Sequence, residues 1–332
     1  MPERVTVVGD GAMGTLCVLL LHANGHEVTW WGYQPEYMAE LAERRENSRY
    51  LPGVTIPDAI RISGDDDCVG AADILISAVP CQFVRQVWMR LGVHVAPSVP
   101  VCSVTKGIEN GTLLRPSQVI VDVLGPRPIA VLSGPCIAPE VVRQLPTAVV
   151  VASEDTRLAE RIQRAFVTSW FRVYTNPDVI GTELAGATKN VIALAAGIID
   201  GLGAGDNCKA ALLTRGLVEI TRLGVALMAQ RETFSGLAGL GDLVTTCISP
   251  IGRNRSAGEA IGRGKTLAQV QAGTRSVIEG VATTRSVVDL ARRHGIDIPI
   301  TEAVHKVLFE NLAPPAAIAA LMARQVKAEA DG

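Results

Sequence analysis

The sequence predicts an α/β domain with a mostly parallel sheet, followed by an all-α domain, and three observations support this fold class. The 332 residues are enough for two hydrophobic cores. Short runs of β-branched residues alternate with helical patterns as far as Asn176 and Pro177, which is typical of helices packed on a sheet. Helical periodicity then replaces the strands almost entirely. We therefore predict one domain over residues 1–179 and a second over residues 180–332.

Composition restricts the classes of function. The net charge of -2 argues against nucleic acid or an acidic membrane surface as the main partner. The seven cysteines lack C-x-x-C spacing and the five histidines lack metal-ligand spacing, so we expect buried thiols in a reducing compartment and no bound metal. No apolar run reaches the roughly 18 residues that a membrane span needs. We expect a cytoplasmic protein without an integral membrane segment.

The N-terminal segment predicts dinucleotide binding. In order, it contains a strand (4–8), a G-x-G-x-x-G pattern (Gly9, Gly11, Gly14), a helix (15–23) and a second strand (26–31). Such glycines allow a tight turn and a close approach of backbone to pyrophosphate, and the helix N-terminus attracts the anion. A tight turn without a ligand is the alternative, but the complete unit favours a bound dinucleotide.

The choice between NAD and NADP is not determined by the second strand. An acidic residue at its end would favour NAD, and an arginine nearby would favour NADP. The strand is followed instead by Gly32, Tyr33 and Gln34. Because none of these is basic, NAD is slightly favoured, although Arg44 or Arg45 could still supply a cation.

The later strands predict the position of a functional lysine. We predict strands at 73–79, 101–104, 129–132, 148–152 and 171–174. In open α/β sheets, ligands bind beyond the carboxyl ends of the strands. Lys106 follows the second of these strands almost at once, so we predict a functional lysine there rather than a solvated loop residue.

A second lysine lies within an apolar helical stretch from Gly181 to Asn207. Apolar residues recur every three or four positions and predict one core-facing side, which Lys189 and Asn190 interrupt. A buried lysine needs a partner or a ligand. The alternative is a side chain that extends from the helix edge to water. The glycine-rich end of the stretch should end or kink the helix.

Two further polar clusters occur in the helical half. Asp242 and Thr246 lie one helical turn apart, unless Asp242 is only a helix cap. Gly252, Arg253 and Asn254 lie where a new helix should begin, and a helix start with a guanidinium is an anion site. A solvated basic turn is the alternative.

At these residues the chain resembles the NAD(P)-dependent glycerol-3-phosphate dehydrogenases, especially the bacterial kind, almost from end to end. The shared motifs are GDGAMGT, RYLPG (Arg49–Gly53), SVTKG around Lys106, SGPCIAPE, GATKNVIALAAGIIDGL, GLAGLGDLVTTC, SPIGRNR, VIEGV (Val277–Val281) and PITEAV (Pro299–Val304). Several motifs in the right order are far more specific than any one of them.

The resemblance implies a Rossmann-like dinucleotide-binding domain, a helical substrate-binding and catalytic domain, and reversible reduction of dihydroxyacetone phosphate to sn-glycerol 3-phosphate. It implies a triose phosphate as the small-molecule partner, product supply to glycerophospholipid synthesis, and a possible homodimer. The implied catalytic residues are Lys189, Lys106, Asp242, Thr246 and Asn190. The implied substrate contacts are Lys106, Gly134, Cys136, Lys189, Asp242, Gly252, Arg253 and Asn254. The implied cofactor contacts are Gly9, Gly11, Ala12, Met13, Gly14, Tyr33, Lys106, Ala138, Arg253, Val277 and Glu279.

Three positions depart from the family pattern. Cys136 replaces a usual serine and is a weaker hydrogen-bond donor. Met13 replaces a bulky aromatic residue inside the glycine turn. The segment containing Tyr33 lacks the basic residue that many bacterial members have.

Other functions remain compatible with parts of this pattern. A related dehydrogenase could act on another hydroxy acid or sugar phosphate, but a phosphate-free substrate would leave Arg253 and Asn254 without a role. A regulatory protein could bind the dinucleotide without turnover, but it would not need Lys106, Lys189 and Asp242 together.

Overall fold

A computed structural model describes residues 2–274, 276–326 and 328–329 of the chain. Two compact units are present, one formed by 1–106 with 115–179 and the other by 107–114 with 180–332. The segment 107–114 therefore packs with the second unit, whereas the sequence places it in the first domain. Ser286 explains this position, because its hydroxyl group donates a hydrogen bond to the carbonyl of Ile108 at 2.8 Å.

The first unit contains an eight-stranded sheet in the order β3-β2-β1-β4-β5-β6-β7-β8. The strands are β1 (Arg4–Val8), β2 (Glu27–Trp31), β3 (Arg61–Ser63), β4 (Ile74–Ser77), β5 (Val101–Ser103), β6 (Ile129–Ser133), β7 (Thr147–Ala152) and β8 (Phe171–Asn176). All neighbouring pairs are parallel except β6 with β7. The sequence did not predict β3, because this strand has three residues and begins with an exposed arginine.

Helices pack on the sheet and close its core. They are α1 (Ala12–Ala23), α2 (Pro35–Arg44), α3 (Val84–Leu91), α4 (Pro116–Leu124), α5 (Ala138–Val141) and α6 (Thr156–Phe166). Every residue of β4 is buried, as expected for a parallel strand covered on two faces. The register pairs Val8 of β1 with Trp31 of β2 and with Ser77 of β4, so these strands end at one edge of the sheet.

The described residues of the second unit form helices and no strand. The helices are α7 (Val179–Leu202), α8 (Asp206–Ala226), α9 (Arg231–Ser235), α10 (Asp242–Ile248), α11 (Arg253–Gly262), α12 (Leu267–Ala272), α13 (Glu279–His294), α14 (Pro299–Phe309) and α15 (Pro314–Met322). The predicted break after α7 is present, since Gly203 and Gly205 have φ values of 65° and 85°. The predicted fold class, a mostly parallel α/β domain followed by helices, is confirmed.

Helix α7 differs from its prediction. We expected one core-facing side, but every residue from Gly181 to Ile199 is buried. The reason is that more than one helix packs directly on α7, since a Cβ on Gly258 of α11 or on Gly280 of α13 would collide with the main chain of α7. A helix that is buried all round has no polar face from which a lysine could reach water.

Among the described residues, no helix combines the length and the apolar character required to cross a membrane.

Candidate active site

The glycine turn between β1 and α1 has the shape that a pyrophosphate needs. Gly9 has φ 123°, and a Cβ there would lie 2.6 Å from the carbonyl oxygen of Ala78. A Cβ on Gly14 would collide with the carbonyl group of Gly9. A Cβ on Gly11 would instead meet no atom within 4 Å. The space beside Gly11 is open at the N-terminus of α1, where the first N–H groups lack intrahelical acceptors. The turn therefore fits a dinucleotide.

Buried polar side chains that the sequence did not predict hold this turn in place. Asn47 is fully buried, and its Nδ2 donates to the carbonyl oxygen of Asp10 and to Oγ1 of Thr15, both at 2.8 Å. Its Oδ1 accepts from the hydroxyl group of Tyr37 at 2.6 Å. The indole Nε1 of Trp30 donates to the carbonyl oxygen of Gly9 at 2.8 Å. The only available signal for Asn47 was its position two residues before the RYLPG motif.

A cavity of about 330 Å³ adjoins the turn and the end of β2. Its lining consists of Gly9, Asp10, Trp31, Tyr33, Val79, Pro80, Phe83, Gln86 and Val87. Most of these side chains are apolar, and the rings of Tyr33 and Phe83 are partly exposed. Ligand pockets usually combine such an apolar lining with a few polar groups. The cavity lies beside the glycine turn and the end of β2, where dinucleotide-binding domains hold the adenosine part of their ligand.

Lys106 lies where the sequence predicts it, beyond the carboxyl end of β5. Its Nζ donates to the carbonyl oxygen of Gly134 at 3.0 Å. The preceding residue, Thr105, donates through Oγ1 to the carbonyl oxygen of Val79 at 2.7 Å. The segments after β4, β5 and β6 are thereby joined, and two predicted substrate contacts, Lys106 and Gly134, are neighbours.

The segment after β6 contains two further predicted contacts, Cys136 and Ala138. Cys136 is half-buried and packs against the hydrophobic core, and Ala138 begins α5. Gly134 has φ 126°, and a Cβ there would lie 3.0 Å from Cα of Val149. The loop conformation therefore requires glycine at this position.

The second unit contains a buried ion pair centred on α7. Nζ of Lys189 donates to Oδ1 of Asp242 at 2.5 Å and also to Oγ1 of Thr246. The exposed fractions of the Lys189 and Asp242 side chains are 7 % and 2 %. The alternative in which Lys189 extends to water is wrong. Asp242 and Thr246 lie one turn apart on α10, as the sequence predicts.

The environment of this ion pair is dry. Burial raises the pKa of the neighbouring Cys247 to about 12, although the charge of Lys189 acts in the opposite direction. In such an environment a charge-assisted hydrogen bond is much stronger than it would be in water.

Asn190 faces a different set of partners. Its Oδ1 accepts from Nδ2 of Asn254 at 2.9 Å, and Oδ1 of Asn254 accepts from the backbone N–H of Gly280 at 2.9 Å. This chain of hydrogen bonds joins α7, α11 and the start of α13. It fixes the first turn of α11 relative to the helix that contains Lys189.

The remaining predicted residues lie at two helix starts. Gly252 precedes α11 and Arg253 is its first residue, with an exposed side chain. Glu279 is the first residue of α13, and Val277 lies two positions earlier. The first unit contains Gly9, Gly11, Ala12, Met13, Gly14, Tyr33, Lys106, Gly134, Cys136 and Ala138. The second contains Lys189, Asn190, Asp242, Thr246, Gly252, Arg253, Asn254, Val277 and Glu279.

Comparison with known proteins assigns both units to one family. Residues 4–159 match the model of the NAD-dependent glycerol-3-phosphate dehydrogenase N-terminus, and residues 178–319 match that of its C-terminus. The chain belongs to this family. The predicted family and a dependence on NAD or NADP are confirmed, and the protein is an oxidoreductase.

Individual relatives cover the chain almost completely. Glycerol-3-phosphate dehydrogenase [NAD(P)+] of Citrifermentans bemidjiense is 45% identical over 99% of this chain and 99% of its own length. The enzyme of the same name from Chlorobium phaeobacteroides is 48% identical over 98% of this chain and 99% of its own. The crystal structure of glycerol-3-phosphate dehydrogenase from Coxiella burnetii has a TM-score of 0.94 and 36% identity, covering 97% of this chain and 99% of that one.

Proposed function

We propose that this protein interconverts dihydroxyacetone phosphate and sn-glycerol 3-phosphate with NAD(H) or NADP(H). The observation that supports the proposal is the buried cluster of Lys189, Asp242 and Thr246 in a chain of this family. A lysine placed in a dry site, with its charge held by a carboxylate, is suited to deliver a proton to a polar substrate.

The proton transfer belongs to Lys189. The nicotinamide cofactor, when bound, supplies or accepts the hydride at the substrate carbon. Negative charge then grows on the carbonyl oxygen, and Nζ of Lys189 delivers a proton there. In the reverse direction Nζ takes the proton from the alcohol. Asp242 and Thr246 orient Nζ, and a positioned acid of this kind contributes roughly 10²–10⁴-fold to the rate.

The substrate phosphate is assigned to the start of α11. Arg253 offers a guanidinium fork, and the first backbone N–H groups of α11 add dipolar donors. The side-chain amide of Asn254 already contacts Asn190 and Gly280, so its contribution to the phosphate would come from the backbone N–H. Lys106, Gly134 and Cys136 are assigned to the substrate and Ala138, Val277 and Glu279 to the cofactor, as the family resemblance implies.

The test is to follow cofactor absorbance with purified protein and dihydroxyacetone phosphate, using NADH and NADPH in turn. Turnover is expected, with dihydroxyacetone a far poorer substrate, because it offers Arg253 no phosphate. Absence of turnover with either reduced cofactor would contradict the proposal. Efficient turnover of a phosphate-free hydroxy acid would favour a related dehydrogenase.

We also propose the wider setting that the resemblance implies. The protein would act in the cytoplasm and supply glycerol 3-phosphate for glycerophospholipid synthesis. Residues 1–179 would bind the dinucleotide, and residues 180–332 would bind the substrate and contain the catalytic lysine. A homodimer is the assembly to test by light scattering of the full chain.

A further inference from the structure

A cation lies beside the end of β2, although the sequence around Tyr33 contains none. Arg90 of α3 donates through Nη1 to the carbonyl oxygen of Tyr33 at 3.3 Å. Its guanidinium carbon is 5.2 Å from the ring centroid of Tyr33 and 5.3 Å from that of Trp31. The end of this strand is where dinucleotide-binding domains read the 2′ group of the adenosine ribose. The helix α3 therefore supplies the charge that the loop lacks.

The two arginines considered from the sequence have other contacts. Arg44 pairs with Glu40 on the surface of α2. Arg45 donates through Nη1 to the carbonyl oxygens of Ile60 at 2.8 Å and of Pro57 at 3.3 Å. These contacts direct both side chains to α2 and to the segment before β3, whereas Arg90 contacts a residue that lines the cavity.

The charge of Arg90 is already compensated. Its Nε donates to Oδ2 of Asp66 at 2.7 Å, and Oδ1 of the same carboxylate accepts from the indole of Trp31 at 3.2 Å. Gln86 donates to the hydroxyl group of Tyr33 at 3.1 Å and holds that ring against the cavity. The guanidinium of Arg90, the carboxylate of Asp66 and the rings of Trp31 and Tyr33 thus form one connected group, and the two rings line the cavity.

We propose that Asp66 and Arg90 are specificity-determining residues for the 2′ group of the cofactor. Paired with Asp66, Arg90 favours the uncharged 2′-hydroxyl of NAD(H), and loss of the Asp66 carboxylate releases Arg90 to bind the 2′-phosphate of NADP(H). This inference rests on the proposed function only for its kinetic readout, since the cavity and the glycine turn concern cofactor binding alone.

Electrostatics supports this direction of preference. A 2′-phosphate brings about two negative charges, and the carboxylate of Asp66 would repel them. The phosphate would also have to compete with Asp66 for the guanidinium of Arg90. A 2′-hydroxyl needs only a neutral hydrogen-bond partner, so NAD(H) avoids this cost.

The decisive variant is Asp66→Asn. It removes the charge but keeps an oxygen that can accept from Trp31. The ratio of kcat/KM for NADPH to that for NADH, measured with dihydroxyacetone phosphate, should rise by about tenfold or more, the factor expected for one charge-assisted hydrogen bond. Binding of 2′,5′-ADP, compared with 5′-AMP by calorimetry, should improve by a similar factor. Because these fragments require no reaction, they test the inference independently of turnover.

Two further variants provide a control and a test of Arg90 itself. Asp122→Asn is the matched control. Asp122 of α4 pairs at 2.6 Å with Arg85, which lies on α3 like Arg90. It should leave the cofactor ratio and fragment binding unchanged. Arg90→Gln removes the cation and should weaken 2′,5′-ADP binding in both the wild-type and the Asp66→Asn backgrounds.

The outcomes separate the two proposals. If fragment binding follows these expectations but dihydroxyacetone phosphate is not turned over, the cofactor inference stands and the proposed substrate is wrong. If Asp66→Asn changes neither the kcat/KM ratio nor 2′,5′-ADP binding by more than twofold, the inference is overturned. Wild-type protein that prefers NADPH tenfold would overturn it as well. Should Asp66→Asn fail to fold, Arg90→Gln still decides, because unchanged 2′,5′-ADP affinity would refute a role for Arg90.

Discussion

The glycine turn of the first unit and the lysine cluster of the second differ in the groups that support them. Neutral side chains support the turn, whereas a buried carboxylate supports the lysine. The turn offers backbone groups to a highly charged ligand, and neutral side chains such as Asn47 hold it from behind. The cluster offers one side-chain charge, Lys189, and a second charge, Asp242, holds it in a dry environment. At the turn, the charge is present only when the ligand is bound. In the cluster, the charges of Lys189 and Asp242 are buried with or without a ligand.

This difference predicts that substitutions in the two regions will affect stability and activity differently. Loss of a neutral support should loosen the turn gradually, because each missing hydrogen bond has a modest net effect. Loss of one partner from a buried ion pair leaves the other charge without compensation, which is far more destabilising. Variants of the cluster should therefore lose both activity and stability, and variants of the turn should mainly lose cofactor affinity.

The largest effect is expected for Lys189→Met. Without the proton donor, kcat should fall roughly 10²–10⁴-fold. The variant should also be less stable than the wild type. Asp242 would remain buried without its cation, at a cost of about 3–5 kcal/mol in the free energy of unfolding. Steady-state kinetics and urea unfolding measure the two effects.

A double variant and a control separate the two losses. Lys189→Met with Asp242→Asn removes both charges, so stability should largely return while kcat stays low. Lys209→Met removes a lysine that pairs with Asp200 at 2.8 Å in the same unit, and it should leave kcat near the wild-type value. Near-normal kcat in folded Lys189→Met would refute the assignment of Lys189 as the proton donor.

Arg253→Ala should act on substrate binding rather than on the proton. A phosphate contact exists in the ground state as well as in the transition state, so KM for dihydroxyacetone phosphate should rise about 10–100-fold, with a smaller fall in kcat. Arg263→Ala is the matched control, because Arg263 lies at the end of α11 and pairs with Glu259. Equal KM values in the two variants would show that the start of α11 does not hold the phosphate.

Asn47→Leu tests the neutral support of the glycine turn. It keeps a similar volume but leaves the carbonyl of Asp10 and the hydroxyl groups of Thr15 and Tyr37 without this partner. The stability loss should be about 1–3 kcal/mol, and KM for the cofactor should rise about tenfold while kcat at saturation is retained.

Asn24→Leu serves as the control for Asn47→Leu. The side chain of Asn24 donates to the carbonyl oxygen of Ala165 at 2.9 Å, at the other end of α1. This variant should lose stability without a change in cofactor KM. A similar KM in both variants would mean that Asn47 supports the fold but not the cofactor site.

The two regions also differ in how much of each could be predicted. Local sequence patterns predict the turn, because its strand, glycines and helix are consecutive in the chain. Accordingly, β1, α1 and β2 start within three residues of their predicted positions. The support by Asn47 could not be predicted, since it depends on a contact across 37 residues and on burial. The antiparallel pairing of β6 with β7 was also beyond local reasoning, because strand direction depends on the path between strands.

The cluster shows the reverse pattern. The sequence identified Lys189, Asp242 and Thr246 as polar interruptions of apolar helices, which is a local signal. The state of Lys189 was not predictable, because burial on all sides of α7 results from packing against helices such as α11 and α13, which are distant in the chain. Chemistry-bearing residues were therefore easier to find than the packing that sets their environment.

The smallest predicted effect concerns another buried charge of the second unit, Glu219. Its carboxylate accepts hydrogen bonds from the backbone N–H groups of Ile300 at 2.7 Å and Thr301 at 2.9 Å, where α14 begins, and from the Thr301 hydroxyl group. Burial nevertheless raises the pKa of Glu219 above its ordinary value of 4.5, against the effect of these hydrogen bonds. Like Asp242, it is a carboxylate enclosed by the helical unit, but it lacks a lysine partner among these contacts.

Linkage gives the sign of the resulting pH dependence. Because the pKa of Glu219 is raised, the folded state binds its proton more tightly than the unfolded state does. The stabilisation from this proton is complete at low pH, and it is lost as pH rises from 4.5 through the raised pKa. The free energy of unfolding should therefore fall across this window by at most about 1.4 kcal/mol per pH unit. Glu219→Gln cannot titrate, so its stability, although lower throughout because an acceptor is lost, should lack this slope. Urea unfolding of both proteins at several pH values measures the difference. If the wild type instead gains stability relative to Glu219→Gln as pH rises, the hydrogen bonds at the start of α14 outweigh burial, and the carboxylate behaves as an N-terminal anion of the helix.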